Sequence, residues 1–350
     1  MLMKEFQEKM QIINNTILLL LGSLFIGLSS GTHEMRPPTG ESDHIGVAFY
    51  NVENFFDTID SELNDDEFLP SSTRKWNTYK YYKKLNSFFK AISMCNNGME
   101  PPAITGLCEI ENENVLKDIC SKSLLKYDNY SYLISEGLDE RGISTALLYR
   151  PGVITLLHSE SWIPPGIHSE CMHTRALLYG CFRFRSDTLH VVICHWPSRR
   201  GGALSSEKRR IKVARFFKSR LDSLPGYSKI LIMGDFNDEP NSLSLKIITK
   251  ADPAEKKVNE FVNVSKSESG SYKYHGTWYL FDQILISDEL LNSKSGLKYR
   301  KDSYKVITNK FLLTDDLKYK GQRAASSWWG YKYQGAFSDH LPVVAILDAN

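Results

Sequence analysis

Apolar and polar positions along the chain follow two periods. Short apolar runs bounded by turn formers predict strands over 45–50, 103–108, 130–134, 144–149, 153–157, 177–184, 189–194, 230–233, 281–286 and 341–347. Spacings of three and four predict helices instead. Tyr81, Leu85, Phe88, Phe89 and Ile92 make one stripe between Trp76 and Met94, read as core contact. Val115, Leu116 and Ile119 mark a short helix. Ile211, Ala214, Phe217 and Leu221 form one face of another from about Ser205 to Leu221, and a further helix lies near 242–248. Pro151-Gly152 and Ser186-Asp187 read as hairpin turns, and the acidic stretch from Asp57 to Glu67 as a surface loop. The polar segment from Asp252 to Lys273 shows no period. Trp328, Trp329, Tyr331 and Tyr333 read as a mobile aromatic loop before the last strand. Irregular alternation of strands and helices, with hairpins mid-chain, predicts an α/β (α+β) fold of two mixed sheets packed face to face with helices outside.

The 350 residues are 42% hydrophobic and 24% charged, enough for a large core in one domain, placed at 44–350. A net charge of +2 selects no class of partner. The amino end is more informative. Lys4 and Lys9 precede an apolar run over 16–28, followed by Ser29, Ser30 and Gly31. The run is short for a bilayer span, and small residues stand where a signal peptidase cuts. Residues 1–31 therefore read as an export signal and 32–43, with Pro37, Pro38 and Gly40, as a linker. An uncleaved membrane anchor is the alternative; once the signal is removed, no membrane span is expected. Cys108 and Cys194 lie in strand-like runs as small hydrophobes, Cys171 and Cys181 flank a hairpin as the pair to expect, and no cysteine spacing suits zinc.

The polar residues that close the apolar runs carry the candidate chemistry. Gly234 ends the run 230–233, and Asp235 follows where a strand opens into a loop, a usual place for a site. Asp235 and Asn237 project to the same side if the chain stays extended. An Asp-His pair, Asp339-His340, opens the last run. Taken singly, these are polar turns; their order along the chain changes the reading.

Phe49-Tyr50-Asn51-Val52-Glu53-Asn54, Gly106-Leu107-Cys108-Glu109, Cys194-His195-Trp196-Pro197-Ser198, Gly234-Asp235-Phe236-Asn237, Phe281-Asp282-Gln283-Ile284 and Ser338-Asp339-His340 together resemble the endonuclease/exonuclease/phosphatase superfamily, the metal-dependent phosphodiesterases related to pancreatic-type deoxyribonuclease. The resemblance covers roughly residues 44 to 348. It implies a four-layer α/β/β/α sandwich and a metal held by Asn51, Glu109 and Asp339. An all-oxygen set suits Mg²⁺, with Mn²⁺ as a substitute. It further implies that Asp235 orients or deprotonates the attacking water while Asn237 holds phosphate or nucleophile. His195 and His340 would flank the scissile phosphate, and Asp282 would pair with His340 and raise its pKa.

Between Arg199 and Arg220 nine cations face one acid, Glu207. Helical charge of this kind is ordinarily a solvated face. Its beginning adjoins His195, however, so Ser198, Arg199 and Arg200 are read as gripping a neighbouring phosphate. The chain also departs from the family pattern: an acid often stands near the position of Ser144, where it would orient the histidine matching His195. With only a hydroxyl there, His195 is expected to stay neutral.

The reading is thus an exported Mg²⁺-dependent phosphoester hydrolase, nuclease-like, acting on a phosphodiester of which nucleic acid is the foremost class. No protein partner is inferred, and a monomer is expected. The alternatives are a sphingomyelinase-like lipid phosphodiesterase, which would use Trp328-Trp329 as an apolar membrane loop, a phosphoinositide phosphatase, and a non-catalytic binding protein on the same scaffold.

Overall fold

The computed structural model describes residues 43–349 apart from 62–64, 97–99, 137–140, 167–173 and 250–258. The expected export signal, most of the linker and Cys171 lie outside the described residues. Four strands come first: β1 (His44–Phe55), β2 (Ile104–Ile110), β3 (Ser131–Ile134) and β4 (Ser144–Tyr149). Next come β5 (Thr155–Trp162), β6 (Leu177–Phe184), β7 (Asp187–His195), β8 (Lys229–Asp235) and β9 (Phe261–Asn263). A hairpin of β10 (Tyr272–Tyr274) and β11 (Thr277–Tyr279) precedes β12 (Asp282–Ser287), β13 (Leu297–Tyr299) and β14 (Lys305–Val306). Two more hairpins, β15 (Leu313–Asp315) with β16 (Gln322–Ala324) and β17 (Trp328–Trp329) with β18 (Lys332–Tyr333), lead to β19 (Val343–Ala349). The helices are α1 (Thr78–Ser93), α2 (Glu113–Lys122), α3 (Ala203–Asp222), α4 (Leu243–Thr249) and α5 (Asp288–Leu291).

The two large sheets share one plan. The first runs β13-β19-β1-β2-β4-β3, with β14 also on β19, and the second runs β5-β6-β7-β8-β12-β9. Each has a single parallel pair at its centre, β1 with β2 and β7 with β8, and antiparallel pairs on both sides. Alternate residues of these central strands enter different apolar layers. Val47, Phe49, Val191, Ile193, Leu231, Met233 and Ile284 fill the space between the sheets. Ala48, Tyr50 and Leu107 meet Leu85, Phe88 and Ile92 of α1 on one outside, and Val192, Ile230 and Ile232 meet Val213 and Phe217 of α3 on the other. Strands covered on both faces need apolar residues at nearly every position, which is why 230–233 reads as an unbroken run. The result is the α/β/β/α sandwich.

Several local expectations are corrected. Gly234 does not end its strand; it lies inside β8, where a Cβ would stand 2.6 Å from the Cys194 carbonyl oxygen, so glycine permits the close approach to β7. Pro151-Gly152 makes no hairpin, because β4 belongs to the first sheet and β5 to the second. The acidic stretch is not wholly at the surface: Asp57 and Asp65 are buried, Asp57 accepting from the Ile59 amide and Asn112. The aromatic loop is the β17–β18 hairpin, with Trp328 buried 6.0 Å from Trp76, ring centre to ring centre. Cys181 carries a free thiol among the described residues, and its expected partner Cys171 lies outside them. Among the described residues no helix is long and apolar enough to cross a membrane.

Candidate active site

The sheet plan gathers polar residues at one edge. A parallel pair brings two carboxyl ends together, and the amino end of an antiparallel neighbour arrives beside them. Thus Asn51 and Glu109 come from β1 and β2, His195 and Asp235 from β7 and β8, Asp282 from the start of β12, and Asp339 and His340 from the approach to β19. Across the pair, His195 is opposite Asp235 and Asp282 is opposite Asp235 in register. The first sheet is irregular at this edge: registers shift between Asn51 and Phe55 and between Cys108 and Ile110. Glu53, Asn54, Glu109 and Asn237 all adopt φ between 50° and 65°. Non-glycine residues there carry strain of about 1–3 kcal/mol each, which the surrounding hydrogen bonds must offset. The Asn54 amide donates to Glu109 at 2.8 Å and the Glu53 amide to Asn51 Oδ1 at 3.0 Å.

Asp235 is the centre. Its Oδ2 accepts from Asn51 Nδ2 at 3.0 Å and lies 3.7 Å from His195 Nε2 and 3.8 Å from His340 Nε2. Its Oδ1 accepts from the Asn237 amide at 2.9 Å. Burial raises the Asp235 pKa to about 6, with the His340 charge opposing and that of Asp282 adding. The two histidines are driven apart. Burial and the charges of Arg175, Arg141 and His340 hold the His195 pKa well below its ordinary value. For His340 burial acts downward too, but Asp282, 2.7 Å from Nδ1, and Asp235 carry the pKa well above it. A neutral imidazole and an imidazolium therefore face one carboxylate, an arrangement that provides a hydrogen-bonding group and a proton donor at the same centre. Tyr272 stacks on the His340 ring at 4.6 Å.

Glu109 Oε1 lies 3.9 Å from His195 Nε2 and 3.4 Å from an Arg141 guanidinium nitrogen. Burial raises its pKa, but Arg141, Arg175 and His340 outweigh that and hold it ionised. Asp339, half-buried, is shifted up by loss of water and by the charge of Glu109, against His340 and Lys84. Glu53 is pushed up to about 8 by burial and by Asp339. Carboxylates that repel one another at a sheet edge fit a cation, and with Asn51 they offer oxygen donors, as Mg²⁺ prefers.

Some expected placements differ. The turn at Asn237 is left-handed, so its side chain does not run parallel to that of Asp235; Nδ2 donates to the Trp196 carbonyl at 3.1 Å. Arg199 is held by Asp238 at 3.0 Å and the Asn237 carbonyl at 3.0 Å, its guanidinium 4.7 Å from the Phe281 ring centre. It braces the Asp235–Asp238 loop. Ser198 is half-buried and Arg200 is exposed beside it. Arg210, in the basic run of α3, is buried and pairs with the same Asp238 at 2.8 Å. Ser144 is buried in β4, and the Nδ1 of His195 has no hydrogen-bond partner among the described residues, so the hydroxyl does not orient that ring.

Three residues were missed. Asp238 gathers Arg199, Arg210 and Ser244 and was visible only as one more acid in Asp-Phe-Asn-Asp. Arg175 and Lys84 are buried cations whose sequence surroundings gave no signal; Lys84 sits in an otherwise amphipathic stripe.

The sequence matches the Endonuclease/Exonuclease/phosphatase family over residues 46–349. The chain belongs to that family. Solved structures repeat its fold at low identity. D. rerio TDP2, complexed with a single strand DNA product, is 14% identical with a TM-score of 0.56, over 88% of this chain and 100% of the other. An endonuclease/exonuclease/phosphatase family protein of Bacteroides thetaiotaomicron is 15% identical with a TM-score of 0.57, over 88% and 98%. The mannosyl-6-phosphatase of the same organism is 15% identical with a TM-score of 0.55, over 87% and 99%. No curated protein sequence matches the chain. The family places the chain among the hydrolases of phosphoester bonds.

Proposed function

We propose that the chain is an exported, Mg²⁺-dependent phosphodiesterase of the nuclease-like kind. The observation that carries this reading is the convergence of Asn51, His195 and His340 within 3.0, 3.7 and 3.8 Å of one Asp235 oxygen. In this reading Asn51, Glu109 and Asp339 hold the cation. The chemistry the ion supplies is charge neutralisation on the non-bridging oxygens and a lower pKa for water. Asp235 orients the attacking water and takes its proton. His340, charged and fixed by Asp282, protonates the leaving oxygen, while neutral His195 donates a hydrogen bond to the phosphate. A nucleic acid is the favoured substrate, in keeping with the single strand DNA product bound to D. rerio TDP2. The apolar run over 16–28 supports export.

The lipid alternative loses its main support. Trp328 is buried and has the Arg74 and Lys80 cations over its ring at 4.9 and 5.3 Å, leaving no apolar loop of paired tryptophans to enter a bilayer. A panel of DNA, RNA, sphingomyelin, inositol phosphates and a chromogenic phosphodiester, each with Mg²⁺ and with EDTA, tests the proposal. Hydrolysis of a nucleic acid abolished by EDTA supports it. Turnover of no phosphodiester with Mg²⁺ or Mn²⁺, or turnover indifferent to EDTA, overturns it.

A further inference from the structure

A groove of ≈ 280 Å³ opens beside Asp339, walled by residues of the β10–β11, β15–β16 and β17–β18 hairpins and of the turn joining β15 to β16. Its lining is unusual in composition. Tyr274, His275, Tyr319 and Trp329 supply aromatic faces, while Tyr272 and Trp328, already covered by His340 and by the Arg74 and Lys80 cations, complete the wall; Lys318 and Arg323 supply cations. Tyr274 stacks on His275 at 4.0 Å, and His275 lies 5.4 Å from Tyr319, so the rings form a continuous run. The Arg323 guanidinium covers one side of Trp329 at 4.1 Å, yet that ring remains 48% exposed, and Tyr274 remains 54% exposed. The β10–β11 hairpin turns through His275 and Gly276, both at positive φ, the two-residue connection that matches strand twist. The aromatic run therefore sits on a defined turn.

We propose that this groove receives the base of the nucleotide adjoining the scissile phosphate in a single strand. The inference rests on the phosphodiesterase reading above, and it narrows the substrate to one with an unstacked base. Three features favour a base over a sugar or an acyl chain. Planar faces suit a π-system of any sequence. Among the described residues the lining has no Asn, Gln or Glu to recognise sugar hydroxyls; its Asp316 is committed to Lys273 at 2.9 Å, its Ser326 hydroxyl to Arg323 and the Trp328 carbonyl, and Asp339 belongs to the cation set proposed above. Lys318 and Arg323 provide positive charge for a neighbouring phosphate, which an acyl chain lacks. The volume, near the lower limit for small-ligand pockets, fits one nucleotide and not a duplex.

The test uses the full protein with Mg²⁺, a short single-stranded oligonucleotide, and versions of it carrying an abasic residue at each position in turn. For wild type, loss of one particular base, next to the cleaved bond, should raise KM about 5- to 100-fold. Trp329→Ala should cause a loss of similar size on the intact strand and little further loss on that abasic strand, because both remove the same contact. Trp329→Phe should recover most of the discrimination. Additive losses, or equal treatment of intact and abasic strands by a wild type that cleaves both, overturn the groove assignment and leave the phosphodiesterase reading standing. A wild type that cleaves no strand but turns over a sugar phosphate or phospholipid overturns the nucleic-acid reading and this inference with it.

Discussion

His340 is clamped between two carboxylates: Nδ1 lies 2.7 Å from Asp282 Oδ2, and Nε2 faces Asp235 Oδ2 at 3.8 Å. Burial opposes the charge on the ring, and the acids overcome it. In metal-free protein, Asp282→Asn should lower the His340 pKa by about 1 to 3 pH units, while His195 stays neutral below its ordinary range. The sign for stability follows. The folded pKa of His340 is raised, so its contribution is complete below about pH 6.5 and is lost as pH rises through the folded value. His195 is depressed and acts oppositely: its contribution is complete above about pH 6.5 and is lost as pH falls below that. Histidine NMR titrations with urea unfolding across pH check both, and an unchanged His340 pKa in the variant counts against the clamp.

Asp235→Asn keeps the shape of the central side chain and removes its charge. Turnover on the best substrate should fall by about 10² or more, with the fold intact by circular dichroism. A purified variant near the wild-type rate would remove Asp235 from the mechanism.

Arg199 and Arg200 should separate. Arg199 holds Asp238 and the Asn237 carbonyl beneath the catalytic loop, so Arg199→Ala should lower both thermal stability and kcat, whatever the substrate. Arg200 is exposed, so Arg200→Ala should mainly raise KM for a polyanionic substrate at low salt, an effect that fades as salt rises. Kinetics at two ionic strengths, on an oligonucleotide and on a small chromogenic diester, distinguish the roles. The same KM effect from both variants would return Arg199 to the phosphate-binding set.

The central strands were legible because strands such as those ending at Asp235 and His195 are covered on both faces and must be apolar throughout. The residues gathered at the sheet edge stand at the ends of such runs: Asn51, Glu109, His195 and Asp235 close them, while Asp282, Asp339 and His340 open them. Sheet membership was not: Pro151-Gly152 looks like a hairpin turn, and only packing shows that β4 and β5 lie in different sheets. The short strands β13 to β18 are two or three residues long and hold too little periodicity to register. The bracing contacts of Arg199 and Arg210 escape for a related reason. Their partner, Asp238, is distant in sequence, and local charge counting cannot supply it.

Lys84 and Glu53 are two buried ionisable groups tied through one backbone segment. Lys84 Nζ donates to Ser327 Oγ at 2.7 Å, while the amides of Ser327 and Trp328 donate to Glu53 at 2.6 and 3.1 Å. The Lys84 charge opposes the burial that lifts the Glu53 carboxyl. The pair thus fixes the entry to the β17–β18 hairpin just behind Asn51, which in turn receives the Ser338 hydroxyl on its carbonyl at 2.7 Å. Above about pH 8, where the Glu53 carboxyl is ionised, Lys84→Met strips the cation and leaves the carboxylate uncompensated, which should cost about 3 kcal/mol of stability. Adding Glu53→Gln removes the charge but keeps one acceptor oxygen, enough for the Ser327 or the Trp328 amide and not both, and should restore part of that loss. Urea unfolding of wild type, both single variants and the double variant gives the coupling directly. Simple addition of the two single losses would mean that the charges act independently and that the hairpin is held by its aromatic packing alone.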